Sequence, residues 1–280
     1  MVLLVGRGHA QDDDDDDHFE HKEVTEEEIN NLKVYAQLAA ISYDDLKTWS
    51  CSDCSKVPDS DLVDFFTSKD ELAVGYIAYN HGIKSVTLAF RGTATDEQWE
   101  KDLKFYKEDW PEEVEDSEVH TGFLEIYQTV ADQVYDRATE SLKEYPDYNL
   151  TIVGHSLGGA LASLAAVDFT LRNKTLTEIT NVVTFGKPRV GNEEYAAHYN
   201  SLHLNSTRVV NKEDLVPHLP PESFNYRQEG VQLWILPNST SNASEWCYEY
   251  DNEENPNCSD SLSLFELSTK YHHWAWDIEM

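Results

Sequence analysis

Ser156 lies between two glycines in the run Thr151-Ile152-Val153-Gly154-His155-Ser156-Leu157-Gly158-Gly159-Ala160. An apolar, β-branched stretch precedes it and a small-residue helical pattern follows. This G-x-S-x-G context predicts a sharp strand-to-helix turn that pushes the hydroxyl out at the carboxyl edge of a sheet. Gly154 and Gly158 remove the Cβ atoms that a tight reversal would crowd, and Gly159 lets the helix approach the sheet closely. Backbone N–H groups at the start of that helix favour negative charge developing beside the serine. A serine hydroxyl is a weak nucleophile at neutral pH, so it needs a base within hydrogen-bond reach and a carboxylate to orient that base. The bland alternative is a glycine-rich turn with no chemistry, and the flanking pattern argues against it.

Two downstream stretches can supply these partners in the order acid, then histidine. In Val209-Val210-Asn211-Lys212-Glu213-Asp214-Leu215-Val216-Pro217 an apolar strand runs into a polar loop carrying Glu213 and Asp214. Local pattern alone reads either carboxylate equally well as a turn or helix-capping residue before proline. The second stretch is Tyr271-His272-His273-Trp274-Ala275-Trp276. Its two histidines could instead be packed among aromatics, and with eleven histidines in the chain position alone does not choose.

The elements that position these residues are legible as an alternation. A capping box, Thr25-x-x-Glu28, opens a helix through Ile29, Leu32, Tyr35, Ala36, Leu38 and Ala39. A β-meander follows in Leu62 to Thr67, Leu72 to Tyr79 and Ser85 to Phe90, with Asn80-His81-Gly82 as a turn. Thr95 to Lys104 reads as a short helix and Glu108 to Glu118 as an acidic surface loop. One long amphipathic helix is expected from Phe123 through Ile126, Tyr127, Val130, Val134 and Leu142. After the serine turn come a strand at Ile179 to Phe185, a helix near Glu193 to Leu202, and strands at Thr207 to Asn211 and Val231 to Leu236. Strands alternating with helices predict an α/β fold with a mostly parallel central sheet and helices on both faces.

Length and composition suit one large domain: 280 residues, 40% hydrophobic. Residues 1–24 read as a signal remnant and an acidic disordered tail, because Asp12 to Asp17 is an unbroken aspartate run, and residues 25–280 as the domain. With 53 acidic against 21 basic residues the formal charge is −32, which disfavours nucleic acid and anionic membrane surfaces. No stretch is long and apolar enough to cross a membrane. Cys247 and Cys258 bracket a polar loop and read as a disulfide; Cys51-x-x-Cys54 reads as a second, tight one, with cross-pairing of the four left open. N-x-S/T sites at Asn149, Asn173, Asn205, Asn238, Asn242 and Asn257 agree with an exported glycoprotein, although Asn149 leads into a core strand.

Several motifs occur together in one order: Phe90-Arg91-Gly92-Thr93, Gly154 to Gly159 as GHSLGG, Gly186 to Asn192 as GKPRVGN, and Asn211 to Pro217 with its D-x-V-P. In this the chain resembles the secreted fungal class 3 lipases over about Leu32 to Trp276. The resemblance implies an α/β-hydrolase fold and a Ser-Asp-His triad of Ser156, Asp214 and His273. The histidine follows from the family's H-x-x-Y-F, with Trp276 in the tyrosine place and His272 as the neighbour that competes for the role. It also implies an oxyanion hole of Thr93 and the Leu157 N–H, and a lid carrying Thr95, Trp99 and Leu103, more polar than an interfacial lid usually is. The implied protein is an extracellular, monomeric carboxylic ester hydrolase acting on acylglycerols, in transient contact with a lipid–water interface and needing no metal or cofactor. Two alternatives stand beside it: a feruloyl-type esterase on plant cell-wall esters, and a hydrolase-like binding protein without turnover.

Overall fold

The computed structural model describes residues 21–46, 48–93, 104–237, 243–248 and 254–280. In chain order the elements are β1 (His21–Glu23), α1 (Glu26–Ile41), β2 (Ser60–Thr67), β3 (Val74–Asn80), β4 (Ser85–Phe90), β5 (Lys107–Asp109), β6 (Glu118–His120), α2 (Thr121–Gln128), α3 (Ala131–Glu144), β7 (Asn149–His155), α4 (Leu157–Arg172), β8 (Thr180–Phe185), α5 (Glu193–Ser201), β9 (Asn205–Asn211), β10 (Val231–Ile235), β11 (Ser244–Cys247), β12 (Trp274–Ala275) and β13 (Ile278–Glu279).

Among the described residues one sheet has nine strands in the order β1-β11-β10-β9-β8-β7-β4-β3-β2. Its centre, β4 through β10, pairs in parallel, and both margins turn antiparallel: the β2-β3-β4 meander on one side and β10-β11-β1 on the other. Central parallel strands are covered on both faces, which is why β7 and β8 read as nearly unbroken apolar runs. Neighbouring residues go to opposite sides. Leu88, Ile152 and Val182 join the core with α2, α3, α4 and α5, while Ala89, Val153 and Val183 join the core with α1 and the β12-β13 hairpin. This is the α/β-hydrolase arrangement, with most of the helices on one face.

α1 starts on the anticipated capping box, in which Thr25 N–H donates to Glu28 Oε2 at 2.8 Å and Glu28 N–H to Thr25 Oγ1 at 3.3 Å. Three details differ from the sequence reading. The folded chain begins before residue 25: β1 pairs with β11, and Val24 is buried in the α1 core. The long helix is two, α2 and α3, because Thr129 Oγ1 donates to Ile126 O at 2.6 Å and Val130 N–H tightens onto Tyr127 O, ending α2. The acidic stretch 108–118 is closed by a small hairpin, since β5 pairs with β6. Both disulfides form as sequential pairs, Cys51–Cys54 and Cys247–Cys258, and the cross-pairings do not.

The GKPRVGN stretch explains itself as scaffold. Lys187 and Arg189 are both buried: Lys187 Nζ sits 2.7 Å from Glu229 Oε1, and Arg189 forks onto Glu254 at 2.6 and 2.8 Å. Asn192 caps α5 by accepting from Tyr195 N–H and holds β6 by accepting from Glu118 N–H, each at 3.0 Å. Such pairs are expensive to break because the surviving charge stays buried. Arg189→Met is therefore expected to lower the unfolding free energy by about 3–5 kcal/mol in a urea titration, and a loss below about 1 kcal/mol would contradict this reading.

His120 supplies an acid-sensitive cap. Its Nδ1 accepts from Phe123 N–H at 3.3 Å at the start of α2, its ring stacks on Phe123, and burial pushes its pKa down from 6.5 to about 4. The unfolded chain takes up this proton first, so stability is full above about pH 6.5 and drains as pH falls toward 4. His120→Asn keeps a capping side chain without the titration. Between pH 7 and 4 the wild type is expected to lose up to about 3 kcal/mol more stability than this variant, and parallel losses would contradict the assignment.

Candidate active site

The turn between β7 and α4 places Ser156 at φ 56° and ψ −129°, a left-handed conformation for a residue with a side chain. Holding it there costs about 1–3 kcal/mol, which the surrounding contacts must supply. Ser156 N–H is fixed to Phe185 O of β8 at 2.9 Å, and Gly159 N–H to Ser156 O at 2.9 Å. The flanking glycines serve through close approach. A Cβ on Gly154 would strike the Gly158 carbonyl, and one on Gly158 the Phe90 carbonyl. Ser156 is buried, and its Oγ makes no hydrogen bond within the described residues. α4 begins at the next residue, so the N–H groups of Leu157 and Gly158 precede its first intrahelical bonds.

The carboxylate beside this turn is Asp214, and its partner is His272. Asp214 ends the β9 strand in a turn on Asn211. Its Oδ1 accepts from Val216 N–H at 3.0 Å, and its Oδ2 accepts from His272 Nδ1 at 2.9 Å. Both side chains are almost fully buried. Of the two carboxylates left open by the sequence, Glu213 instead contributes its main chain, accepting from Ser268 N–H at 2.8 Å.

The expected histidine, His273, is not the one that meets Asp214. It is exposed, its ring centroid lies 5.7 Å from that of His272, and its carbonyl accepts from Met280 N–H in the β12-β13 hairpin. The reason is a register of one residue. The short 3-10 turn Thr269–Tyr271 ends on His272, whose N–H returns to Thr269 O at 3.0 Å; the next residue then starts toward the hairpin and faces out. In H-x-x-Y-F terms the pattern runs from His272, with buried Ala275 in the tyrosine place and buried Trp276 in the phenylalanine place.

Two residues that the sequence reading passed over hold this pair. Asn211 Nδ2 donates to Tyr271 O at 2.8 Å, tying the acid-bearing strand to the histidine turn. Gly186, at φ 54°, leaves room for it: a Cβ there would lie 2.9 Å from both Asp214 Oδ2 and His272 Nδ1. A signal was available, since Gly186 directly follows β8, the strand beside the serine strand. The His155 ring packs 4.6 Å from that of His272 and also hydrogen-bonds through both ring nitrogens.

Of the expected oxyanion residues, Leu157 is the first residue of α4, and Thr93 lies half-buried just beyond β4. The adjoining Gly92 runs against the serine, since a Cβ there would sit 3.0 Å from Ser156 Cβ. The expected lid residues Thr95, Trp99 and Leu103 lie outside the described residues. Among the described residues, the carboxylates that could share a cation are Glu222, Glu254 and Asp260, and the Arg189 guanidinium already reaches all three at 3.7, 2.6 and 3.4 Å.

The chain is similar to known lipases. The family model described as lipase (class 3) matches residues 87–224, from β4 past Asp214 but short of His272. The chain is 34% identical to a lipase of Rhizopus niveus over 247 residues, covering 86% of this chain and 62% of that protein, so it spans less than two thirds of that relative. It is 31% identical over 235 residues to the secreted mono- and diacylglycerol lipase A of Penicillium cyclopium, covering 80% and 75%. A solved triacylglycerol lipase described as having a serine protease triad at its catalytic centre superposes with a TM-score of 0.86 at 31% identity, covering 93% of this chain and 98% of that one.

The two adjacent histidines separate cleanly by substitution. His272→Ala is expected to lower turnover of p-nitrophenyl butyrate by about 10⁴-fold or more, whereas His273→Ala stays within about threefold of wild type. The reverse order would overturn the assignment of the base.

Proposed function

We propose that this chain, which belongs to the class 3 lipase family, is a serine ester hydrolase acting on acylglycerols. The observation that carries the reading is the buried 2.9 Å contact between His272 Nδ1 and Asp214 Oδ2 beside a serine held at φ 56°. With Nδ1 donating to the carboxylate, Nε2 is left as the basic nitrogen. Ser156 Oγ attacks the ester carbonyl and its proton passes to His272 Nε2, while Asp214 keeps the tautomer and stabilises the imidazolium. The tetrahedral oxygen is held by the Leu157 N–H at the positive end of α4 and by Thr93, donors of the kind worth roughly 3–4 kcal/mol each. Collapse expels the alcohol, which takes the proton from His272, and leaves an acyl group on Ser156. Water then enters, gives a proton to His272 as its oxygen adds to the acyl carbonyl, and collapse breaks the Ser156 Oγ–acyl bond, releasing the fatty acid as His272 returns the proton to Ser156.

Acylglycerols are the proposed substrates because the relatives are named as lipases, one of them for mono- and diacylglycerols and a solved one for triacylglycerols. A formal charge of −32 favours a neutral lipid surface over an anionic one. Two closed disulfides and a relative named as secreted support export. We take the working unit to be the monomer.

Ser156→Ala is expected to cut hydrolysis of tributyrin by about 10⁶-fold while leaving the circular dichroism spectrum unchanged. Across a triglyceride, a diglyceride, a phospholipid and methyl ferulate, kcat/KM should be highest on the glycerides. Faster cleavage of methyl ferulate would shift the substrate class to aromatic esters. A wild-type chain that cleaves none of them and takes no fluorophosphonate at Ser156 would be a binding protein instead.

A further inference from the structure

Tyr43 follows the cap of α1, far in sequence from the elbow, yet its hydroxyl reaches two parts of the site. Tyr43 Oη lies 2.6 Å from His155 Nδ1 and accepts from Gly92 N–H at 3.2 Å. On the other side of the imidazole, His155 Nε2 lies 2.8 Å from the main-chain oxygen of His272.

The protons in this chain can be placed from valence. The His272 carbonyl can only accept, so His155 Nε2 carries a hydrogen. Burial, reinforced by the neighbouring His272, pushes the His155 pKa well below its ordinary value, so the ring is neutral and Nδ1 holds a lone pair. That lone pair takes the Tyr43 O–H, and the Tyr43 oxygen takes the Gly92 N–H. The result is one directed run of donors: Gly92 N–H to Tyr43, Tyr43 O–H to His155, His155 N–H to the His272 carbonyl. Each bond polarises the next.

The run ties the ends of two neighbouring sheet strands to a turn that lies outside the nine-stranded sheet. Gly92 lies in the strand exit that carries Thr93, His155 in the elbow, and His272 in the turn that carries the base. Gly92 is part of the device, because a Cβ there would collide with Tyr43 Oη and approach His155 O to 2.8 Å. The glycine in the Arg91-Gly92-Thr93 stretch thus makes room for the tyrosine hydroxyl.

We infer that Tyr43 is a positioning residue for ester hydrolysis, its hydroxyl setting the oxyanion segment at Gly92 and Thr93 against the main chain of His272 through His155. The inference rests on the triad proposed above. It assigns Tyr43 no contact with substrate; its effect is on the alignment of groups that serve both acylation and deacylation. Loss of alignment acts on kcat, because a misplacement of about 1 Å can cost about 100-fold in rate.

Tyr43→Phe removes one oxygen from a half-buried ring. It is expected to lower kcat on p-nitrophenyl butyrate by about 10- to 100-fold with KM within about threefold, to slow fluorophosphonate labelling of Ser156 by a similar factor, and to leave the urea midpoint near wild type. A second pair of variants tests the relay itself. His155→Gln has an amide that can accept from Tyr43 and donate to the His272 carbonyl, and it should keep more kcat than His155→Leu, which can do neither. A Tyr43→Phe enzyme with kcat within about twofold of wild type overturns the assignment, as does a loss carried by KM, or equal losses in the Gln and Leu variants. A wild-type chain that neither turns over ester nor labels at Ser156 overturns the hydrolase reading and this assignment with it, so the wild-type control separates the two failures.

Discussion

The reversal at Ser156 is the constraint on which the rest of the site depends. A strand buried on both faces must end, turn and start a buried helix within one residue, and that residue must carry a hydroxyl at φ 56°. The turn closes because Gly154 and Gly158 let backbone meet backbone, and because Ser156 N–H is held to the neighbouring strand at Phe185. Parallel pairing of β4, β7, β8 and β9 then delivers their carboxyl ends to one edge. Thr93, Ser156, Gly186 and Asp214 all come from those ends, which is where an open α/β sheet presents its chemistry.

Much of the remaining machinery exists to hold that edge still. Lys187 with Glu229 and Arg189 with Glu254 bury charge in the stretch after β8, and Asn192 locks the same stretch to β6. These residue types look functional in a sequence because charge is costly to bury, and they are indeed held for a reason. The reason is geometric: they clamp the segment that contains Gly186 beside the acid–base pair. Asn211 does the same from β9 through the Tyr271 carbonyl.

Features encoded locally were the ones legible beforehand. The capping box at Thr25, the serine turn, the apolar runs of the core strands and both cysteine pairs depend on residues at most eleven positions apart, and they stand as read. The start of the fold was misjudged because β1 is a three-residue edge strand whose only signal is its partner β11, over two hundred positions away. The split between α2 and α3 escaped because apolar periodicity continues across Thr129 and only its hydroxyl reveals the break. The histidine was off by one for a related cause. His272 and His273 are adjacent, the motif spacing favours His273, and a single 3-10 turn decides which ring enters the interior. Tyr43 was invisible, since its bond to His155 joins residues 112 positions apart.

The central claim is that His272, held by Asp214, serves Ser156 while the tetrahedral oxygen of the substrate meets Leu157 and Thr93. The most direct measurement is a crystal structure of the chain inactivated by a short-chain phosphonate ester, which mimics the tetrahedral intermediate. The account predicts phosphorus bonded to Ser156 Oγ, a phosphoryl oxygen within hydrogen-bond reach of the Leu157 and Thr93 N–H groups, and His272 Nε2 as the nearest imidazole nitrogen to the serine oxygen. An adduct on another residue, or His273 turned inward against Ser156 in place of His272, would contradict it.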